Sequence, residues 1–162
     1  MISVLMLILV MIATGSKRRA FQLLKLRPDL QIINIRGNVD TRLRKMEEQQ
    51  LDGIVLAAAG LKRLGMEDVI TQYLAPEDMI SAPAQGALAL EVREDQKELQ
   101  KMLDVFCDEE TMNEVCAERN FLEQMGGSCH TPAGARCQKT DQGYELYAMF
   151  GLSLIHISEP TR

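Results

Sequence analysis

The chain has 162 residues, 46% of them hydrophobic, and a formal net charge of −5. This is enough apolar sequence for one ordinary domain or two small ones, so the composition predicts a soluble globular protein. Aromatic residues make up only 4% of the chain and tryptophan is absent, which disfavours a surface that stacks nucleic-acid bases.

The chain opens with MISVLMLILVMIA, a stretch that is almost wholly apolar. It is shorter than the roughly 20 residues that span a bilayer, so no membrane segment is predicted. A signal-peptide core is an alternative, although neither a preceding positive charge nor an A-x-A cleavage site flanks the stretch. Because the stretch leads directly into TGSKRR, we interpret its later part as a buried parallel strand followed by a loop.

Helices and strands then alternate. Apolar residues at helical spacing predict a helix over SKRRAFQLLKL, with Ser16 as N-cap and Pro28 as its stop. QIINI predicts a second strand, a sharp turn at Gly37 follows, and Asn38 is placed to cap the helix VDTRLRKMEEQQ. GIVLAA predicts a third strand before the short helix AAGLKRLGM. This alternation is typical of a parallel, doubly wound α/β sheet, which binds ligands at the carboxyl ends of its strands.

The second half has a different pattern. A proline-containing loop leads into GALALEV, which predicts an apolar strand, and two helices follow over DQKELQKMLDVFC and DEETMNEVCAERNFLEQM. GARCQK, TDQG and YELYAMFG predict an antiparallel hairpin. We therefore expect a separate α+β unit from about residue 95. The ending SLIHISEPTR continues none of these patterns and resembles translated adapter sequence, so residues from about Ser153 onward, His156 included, are left out of the fold.

Positive charge is concentrated in the first half. Residues 14–65 carry eleven Lys and Arg against five Asp and Glu, whereas residues 66–128 carry four against fifteen. Within the first half, basic side chains follow each predicted strand: Lys17, Arg18 and Arg19, then Arg36 with Arg42 one turn into the next helix, then Lys62 and Arg63. Neither GxxxxGK[ST] nor GxGxxG occurs, which disfavours a nucleotide. Arginine forks bind carboxylates, so the pattern favours a ligand with several carboxylates over the alternative of a merely solvated charged face.

The four cysteines contain no CxxC pair, so neither a disulfide scaffold nor a zinc site is supported, and a reduced cytosolic protein is predicted. Cys107 and Cys116 lie in helical sequence, where we expect small buried thiols. Cys129 differs, because the glycines of MGGSCHTPAG leave it accessible. From the residues alone, Cys129 could be a nucleophile, a metal ligand with His130, or an ordinary surface thiol.

The ordered motifs TGSKRR, LRPDLQIINIRGNVDTRLRK, GIVLAAAGLKRLG, APAQGALALEVR, AERNFL and GGSCHTPAGA resemble the porphobilinogen deaminase, or hydroxymethylbilane synthase, family from about Ile12 to Leu152. The resemblance implies a cytoplasmic, monomeric transferase of porphyrin and heme biosynthesis, without metal, that condenses four porphobilinogen molecules into hydroxymethylbilane and releases ammonia. It also implies a dipyrromethane cofactor joined by a thioether to a loop cysteine, the position that Cys129 matches.

The resemblance further implies a set of cofactor-binding residues, which match Thr14, Ser16, Arg18, Arg19, Arg36, Arg42, Arg63 and Gln85. Two departures from the family pattern are small. Lys17 stands where an apolar residue is common, and Ser128 separates the glycines from Cys129.

The domain organisation also follows from the resemblance. It implies a periplasmic-binding-protein-like, doubly wound second domain at 1–79, a strand at 80–94 that returns to the first domain, a partial α+β C-terminal domain at 95–152 and a non-native tail at 153–162. Most of the family's first domain, with its catalytic aspartate, would precede this chain. We therefore assign no catalytic residue and expect the fragment by itself to be inactive. The alternative is a non-catalytic small-anion binding module of the same fold.

Overall fold

The computed structural model describes residues 9–126 and 131–151, and within them the chain forms two compact units. The first contains the described residues up to Met79 together with Gly151, and the second spans Ile80–Phe150. The first is α/β with a parallel sheet, as predicted. Among the described residues, every helix is too short or too polar to cross a membrane.

The sheet of the first unit has three short parallel strands. β1 (Met11–Ala13) lies between β2 (Gln31–Ile33) and β3 (Gly53–Ile54). Both outer strands are shorter than QIINI and GIVLAA had predicted. Beyond β2 the chain instead passes close to the loop after β1, where a Cβ atom on Gly15 would lie 2.7 Å from the carbonyl oxygen of Ile35. Only glycine permits this approach, which lets Ile35 enter the core.

Each strand of this parallel sheet is followed by a helix. α1 (Lys17–Leu26), α2 (Val39–Glu48) and α3 (Ala58–Arg63) follow β1, β2 and β3. The predicted caps are confirmed, since the Ser16 side chain accepts the N–H of Arg19 at 3.3 Å and the Asn38 side chain accepts the N–H of Thr41 at 2.8 Å. These bonds satisfy N–H groups that have no partner within the helix and so fix where α1 and α2 begin.

The second unit packs a helix against a hairpin. After α4 (Lys97–Leu103), the long helix α5 (Glu109–Gln124) leads to β4 (Ala133–Thr140) and β5 (Gly143–Phe150). The strands are antiparallel, as predicted, with Ala133 opposite Phe150 and Thr140 opposite Gly143. Alternate residues of β4, at Ala133, Ala135 and Cys137, are buried and form the core of this unit.

The predicted strand over GALALEV is wrong for this chain, because residues 86–92 are not assigned to any strand. Leu88 is 98% exposed and Leu90 is 64% exposed. A strand is defined by hydrogen bonds to a neighbouring strand, and no described strand pairs with this segment. Its return to the sheet of another domain stays a prediction, as does the division into domains at 1–79, 80–94 and 95–152.

Two predictions about cysteines are also wrong. Cys107 and Cys116 are exposed, and Cys137 is the buried thiol among those that the structure describes. Cys107 follows a short 3₁₀ helix (Asp104–Phe106), while Cys116 lies on the exposed side of α5. Helical periodicity predicted the helix correctly but did not determine which face of α5 packs on β4.

Replacement of Asn38 with alanine should lower the free energy of unfolding by about 1 kcal/mol, because the N–H of Thr41 loses its acceptor at the start of α2. Asn38→Asp keeps an acceptor and adds a negative charge that suits a helix N-terminus, so it should be as stable as the parent. Urea denaturation followed by circular dichroism measures both. Equal stability of the alanine and aspartate variants would contradict the role of the cap.

Chemical labelling of thiols should distinguish the two exposed cysteines of the described residues from the buried one. Burial, followed by the charges of Glu114 and Glu118, raises the pKa of the Cys137 thiol, and the reactive form is the thiolate. Iodoacetamide at neutral pH should therefore modify Cys107 and Cys116 in the folded protein and Cys137 only after denaturation. Peptide mapping by mass spectrometry checks this, and rapid native labelling of Cys137 would contradict the burial.

Candidate functional site

The loop after β1 carries two hydroxyl side chains that the sequence singled out, and hydrogen bonds fix its path. The N–H of Thr14 donates to the Ile33 carbonyl at 2.9 Å, and the Thr14 hydroxyl oxygen accepts the N–H of Ser16 at 3.2 Å. Thr14 is only 4% exposed. In these contacts, the hydroxyl oxygens of Thr14 and Ser16 accept hydrogen bonds from backbone N–H groups. A hydroxyl group can also donate a hydrogen bond.

The first turn of α1 places two arginines directly after this loop. Arg18 is 9% exposed, and Arg19 is half-buried. The Nη1 group of Arg19 donates to the Val55 carbonyl at 3.0 Å, one residue past β3. Arg19 therefore joins the chain at the carboxyl end of β1 to the chain at the carboxyl end of β3, the edge at which the sequence predicted a ligand.

A third arginine, in α2, lies within electrostatic range of Arg19. Arg42 lies in the first turn of that helix, and its Nε group donates to the Gly37 carbonyl at 2.6 Å. Gly37 has φ of +132°, in a region that favours glycine, so the turn predicted at this residue is confirmed. The charge of Arg42 acts on Arg19, and that of Arg19 acts on Arg18. We call Arg18, Arg19 and Arg42 the arginine cluster.

The fold disfavours the positive charge of two members of the arginine cluster. Burial, with a further contribution from Arg19, lowers the pKa of Arg18 to about 10. Burial, followed by the charge of Arg42, also lowers the pKa of Arg19. Both side chains remain cationic at neutral pH, although the fold disfavours that form. An anion bound between them would offset the repulsion, so the cluster is suited to carboxylates.

Three other arginines of the chain already have anionic partners. Arg19 and Arg42, in contrast, donate hydrogen bonds to carbonyl oxygens. Ion pairs join Arg27 to Asp29, Arg44 to Glu48 and Arg93 to Asp95, all on exposed surface. Such exposed pairs contribute only about 0–1 kcal/mol each. Of the arginines in the first half, Arg27 and Arg44 thus belong to surface pairs and are distinct from the arginine cluster.

The remaining basic residues of the predicted site lie elsewhere in the first unit. Arg36 is exposed, and its carbonyl oxygen accepts a bond from Lys45 Nζ at 3.0 Å. Arg63 is the exposed last residue of α3, and Lys62 beside it pairs with Glu67 at 2.8 Å. Lys62 and Arg63 therefore lie at the end of α3 and not directly after β3. The roles of Arg36 and Arg63 as cofactor ligands stay predictions.

In the second unit, Gln85 is exposed in the turn formed by residues 83–86. Sequence reasoning missed Glu118, which is 7% exposed and whose carboxylate accepts the N–H groups of Ala84 at 2.6 Å and Cys137 at 2.7 Å. No sequence signal singled out Glu118, because it is one of five glutamates in α5. Cys129 and His130 lie outside the described residues, so the role of Cys129 also stays a prediction.

Comparisons with known proteins agree with the sequence motifs. Residues 8–101 match the family model described as porphobilinogen deaminase, dipyromethane cofactor binding domain. Curated relatives named porphobilinogen deaminase include that of Lachnospira eligens, 52% identical over 143 residues, which cover 86% of this chain and 48% of the relative. That of Clostridioides difficile is 46% identical over 140 residues, covering 86% of this chain and 46% of the relative. The chain thus spans about half the length of the curated relatives it matches.

Arg18→Met should stabilise the folded chain at neutral pH, because the pKa of Arg18 lies below its ordinary value and the fold therefore disfavours its charge. We expect the free energy of unfolding to rise by about 1 kcal/mol, after allowance for solvent relaxation around the charge. The gain should be full well below pH 10 and should shrink as the pH rises through the pKa of Arg18.

Arg44→Met is the matched control, since it removes an exposed arginine that pairs with Glu48. Thermal unfolding of both variants and the parent across a pH series gives the comparison. A lower melting temperature for Arg18→Met than for Arg44→Met at neutral pH would show that the Arg18 charge is stabilising, contrary to this account.

Proposed function

The chain belongs to the porphobilinogen deaminase family, and on this premise we propose that its protein condenses four porphobilinogen molecules into hydroxymethylbilane with release of ammonia. This is a transferase reaction of porphyrin and heme biosynthesis. The arginine cluster is the observation that carries the proposal. Each pyrrole unit bears two carboxylates, so cofactor and growing product need closely spaced guanidinium groups of the kind that Arg18, Arg19 and Arg42 supply.

The residues of the cluster fit the dipyrromethane cofactor of the family. A carboxylate bound to a partly buried guanidinium is screened less by water and salt than one bound to exposed Arg27 or Arg44, so the cluster would hold it more strongly. Arg18, Arg19 and Arg42 would hold the cofactor carboxylates, with Thr14, Ser16, Arg36, Arg63 and Gln85 as further ligands. Cys129 would hold the cofactor through a thioether. When bound, the dipyrromethane supplies the primer to which substrate units are joined.

We also propose that the first unit is doubly wound in the manner of periplasmic binding proteins. The strand order β2-β1-β3 supports this, because α1 leads to one side of β1 and α2 leads to the other. Ligands of such sheets bind where the strand order reverses, outside the carboxyl end of the central strand. Thr14, Arg18 and Arg19 follow that end of β1.

The proposal also covers the location, the oligomeric state and the partners of the enzyme. We propose a cytoplasmic monomer that acts on porphobilinogen without metal, nucleic acid or membrane. The catalytic aspartate of the family has no match in this chain, so the chain alone would not turn over substrate. The family match gives no support to the alternative of a non-catalytic small-anion binding module.

A chimera tests the assignment. Residues 12–151 of this chain would replace the matching segment of the Lachnospira eligens porphobilinogen deaminase, which is 52% identical. We expect the chimera to form hydroxymethylbilane, to give the Ehrlich colour reaction of a dipyrromethane and to carry the corresponding added mass. Cys129→Ser should abolish the adduct and the activity, because the sulfur that forms the thioether is gone.

Cys107→Ser is the matched control, since Cys107 is an exposed thiol outside the proposed site and its loss should leave the adduct in place. A normal adduct on Cys129→Ser would show that another group carries the cofactor. An inactive chimera with an intact Cys129 would refute the proposed function.

A further inference from the structure

A buried carboxylate in the second unit is not among the proposed cofactor ligands. Glu118 is 7% exposed, and each of its two oxygens accepts one backbone N–H: Oε2 from Ala84 at 2.6 Å and Oε1 from Cys137 at 2.7 Å. A charged group is costly to bury unless hydrogen bonds compensate for lost water, and bonds to an ionised acceptor are about twice as strong as neutral ones. Glu118 thus joins three segments: α5, β4 and the turn at 83–86.

The turn that Glu118 holds is strained. Ala84 has φ of +61°, a left-handed conformation that residues with a Cβ atom rarely adopt. The local bonds of the turn are ordinary backbone bonds, from Gln85 N–H to the Ala82 carbonyl at 3.1 Å and from Ala87 N–H to the Ala84 carbonyl at 3.3 Å. Strained conformations persist where surrounding structure holds them, and the bond from Ala84 to the carboxylate is the strongest available hold.

The chain just before the turn is fastened to the same strand. Ala135 of β4 donates its N–H to the Ser81 carbonyl at 3.0 Å, and the Ser81 hydroxyl donates to the Ala135 carbonyl at 3.3 Å. Ser81 and Ala84 are therefore both anchored to the body of the second unit. The next residue is Gln85, whose direction is determined by the backbone of the turn.

We propose that Glu118 is a positioning residue for Gln85. Its carboxylate holds Ala84 in the left-handed conformation and so fixes the direction in which the turn presents the Gln85 amide to the cofactor. The part that concerns the cofactor rests on the proposed function, whereas the hold on the turn does not. Glu118→Gln is the informative change, because a side-chain amide has one acceptor oxygen and its NH₂ group cannot accept the second N–H.

Hydrogen exchange of the 162-residue chain tests the hold on the turn without any ligand. In Glu118→Gln, the hydrogen-bonded amides of Ala84, Gln85 and Ala87 should exchange roughly tenfold faster, as expected for loss of one charge-assisted bond. Glu123→Gln, the same charge change at an exposed position of α5, should leave their exchange unchanged. Adding Ala84→Gly to Glu118→Gln should restore part of the protection, because glycine adopts positive φ without strain.

Unchanged exchange of the Ala84, Gln85 and Ala87 amides in Glu118→Gln would overturn the hold on the turn, whatever the function of the protein. If Glu118→Gln unfolds the second unit, Glu118→Asp replaces it. The aspartate keeps both oxygens on a side chain one methylene shorter, and it should release the N–H of Ala84 or of Cys137. Parent-like protection at both amides would then refute the proposal.

The active chimera tests the link to Gln85. Glu118→Gln should lower kcat/KM roughly tenfold, a loss that one hydrogen bond to a charged group can account for. In a Gln85→Ala background, Glu118→Gln should cause no further loss, since the residue through which it acts is gone. If the losses in kcat/KM caused by Glu118→Gln and Gln85→Ala multiply in the double variant, the positioning role is overturned. Failure of the proposed function would appear in the unsubstituted chimera, and the exchange experiment would still decide whether Glu118 holds the turn.

Discussion

The burial of guanidinium groups, with repulsion between them as the smaller contribution, is the constraint on which the candidate site of the first unit depends. Arg18 and Arg19 follow one short strand, and Arg42 approaches from the next helix, with no described element placing a carboxylate against Arg19 or Arg42. The backbone accommodates the charges through carbonyl oxygens, Val55 for Arg19 and Gly37 for Arg42. Carbonyl dipoles orient the side chains without neutralising them, which leaves the charge for a ligand.

Local features of this arrangement could be predicted from the sequence. The caps at Ser16 and Asn38 depend on residues within three positions of each other, and the antiparallel hairpin of β4 and β5 depends on a nearby turn. The parallel α/β sheet followed from the alternation of apolar strands and amphipathic helices. Strand lengths did not follow, because β2 and β3 end where the ladder to β1 ends, and that depends on tertiary contacts such as Gly15 against Ile35.

The site itself could be predicted in part. Arginines at strand ends indicated a carboxylate ligand, and the structure brings Arg19 within electrostatic range of both Arg18 and Arg42. The sequence did not show that Lys62 pairs with Glu67, nor that Glu118 is buried against chain segments 19 and 34 residues away. Such contacts depend on which faces of two elements meet, and periodicity along one element carries no such information.

The depth of the arginine cluster also has a consequence for kinetics. Exposed basic residues such as Arg36 and Arg63 act on an approaching anion over a distance that physiological salt limits to about 8 Å. Arg18, which is nearly enclosed, would act on a carboxylate mainly after the anion has lost its water and entered the site. Added salt should therefore slow the association of a carboxylated ligand much more than it speeds its dissociation. Ionic strength would then set the association rate, and burial would set the lifetime of the complex.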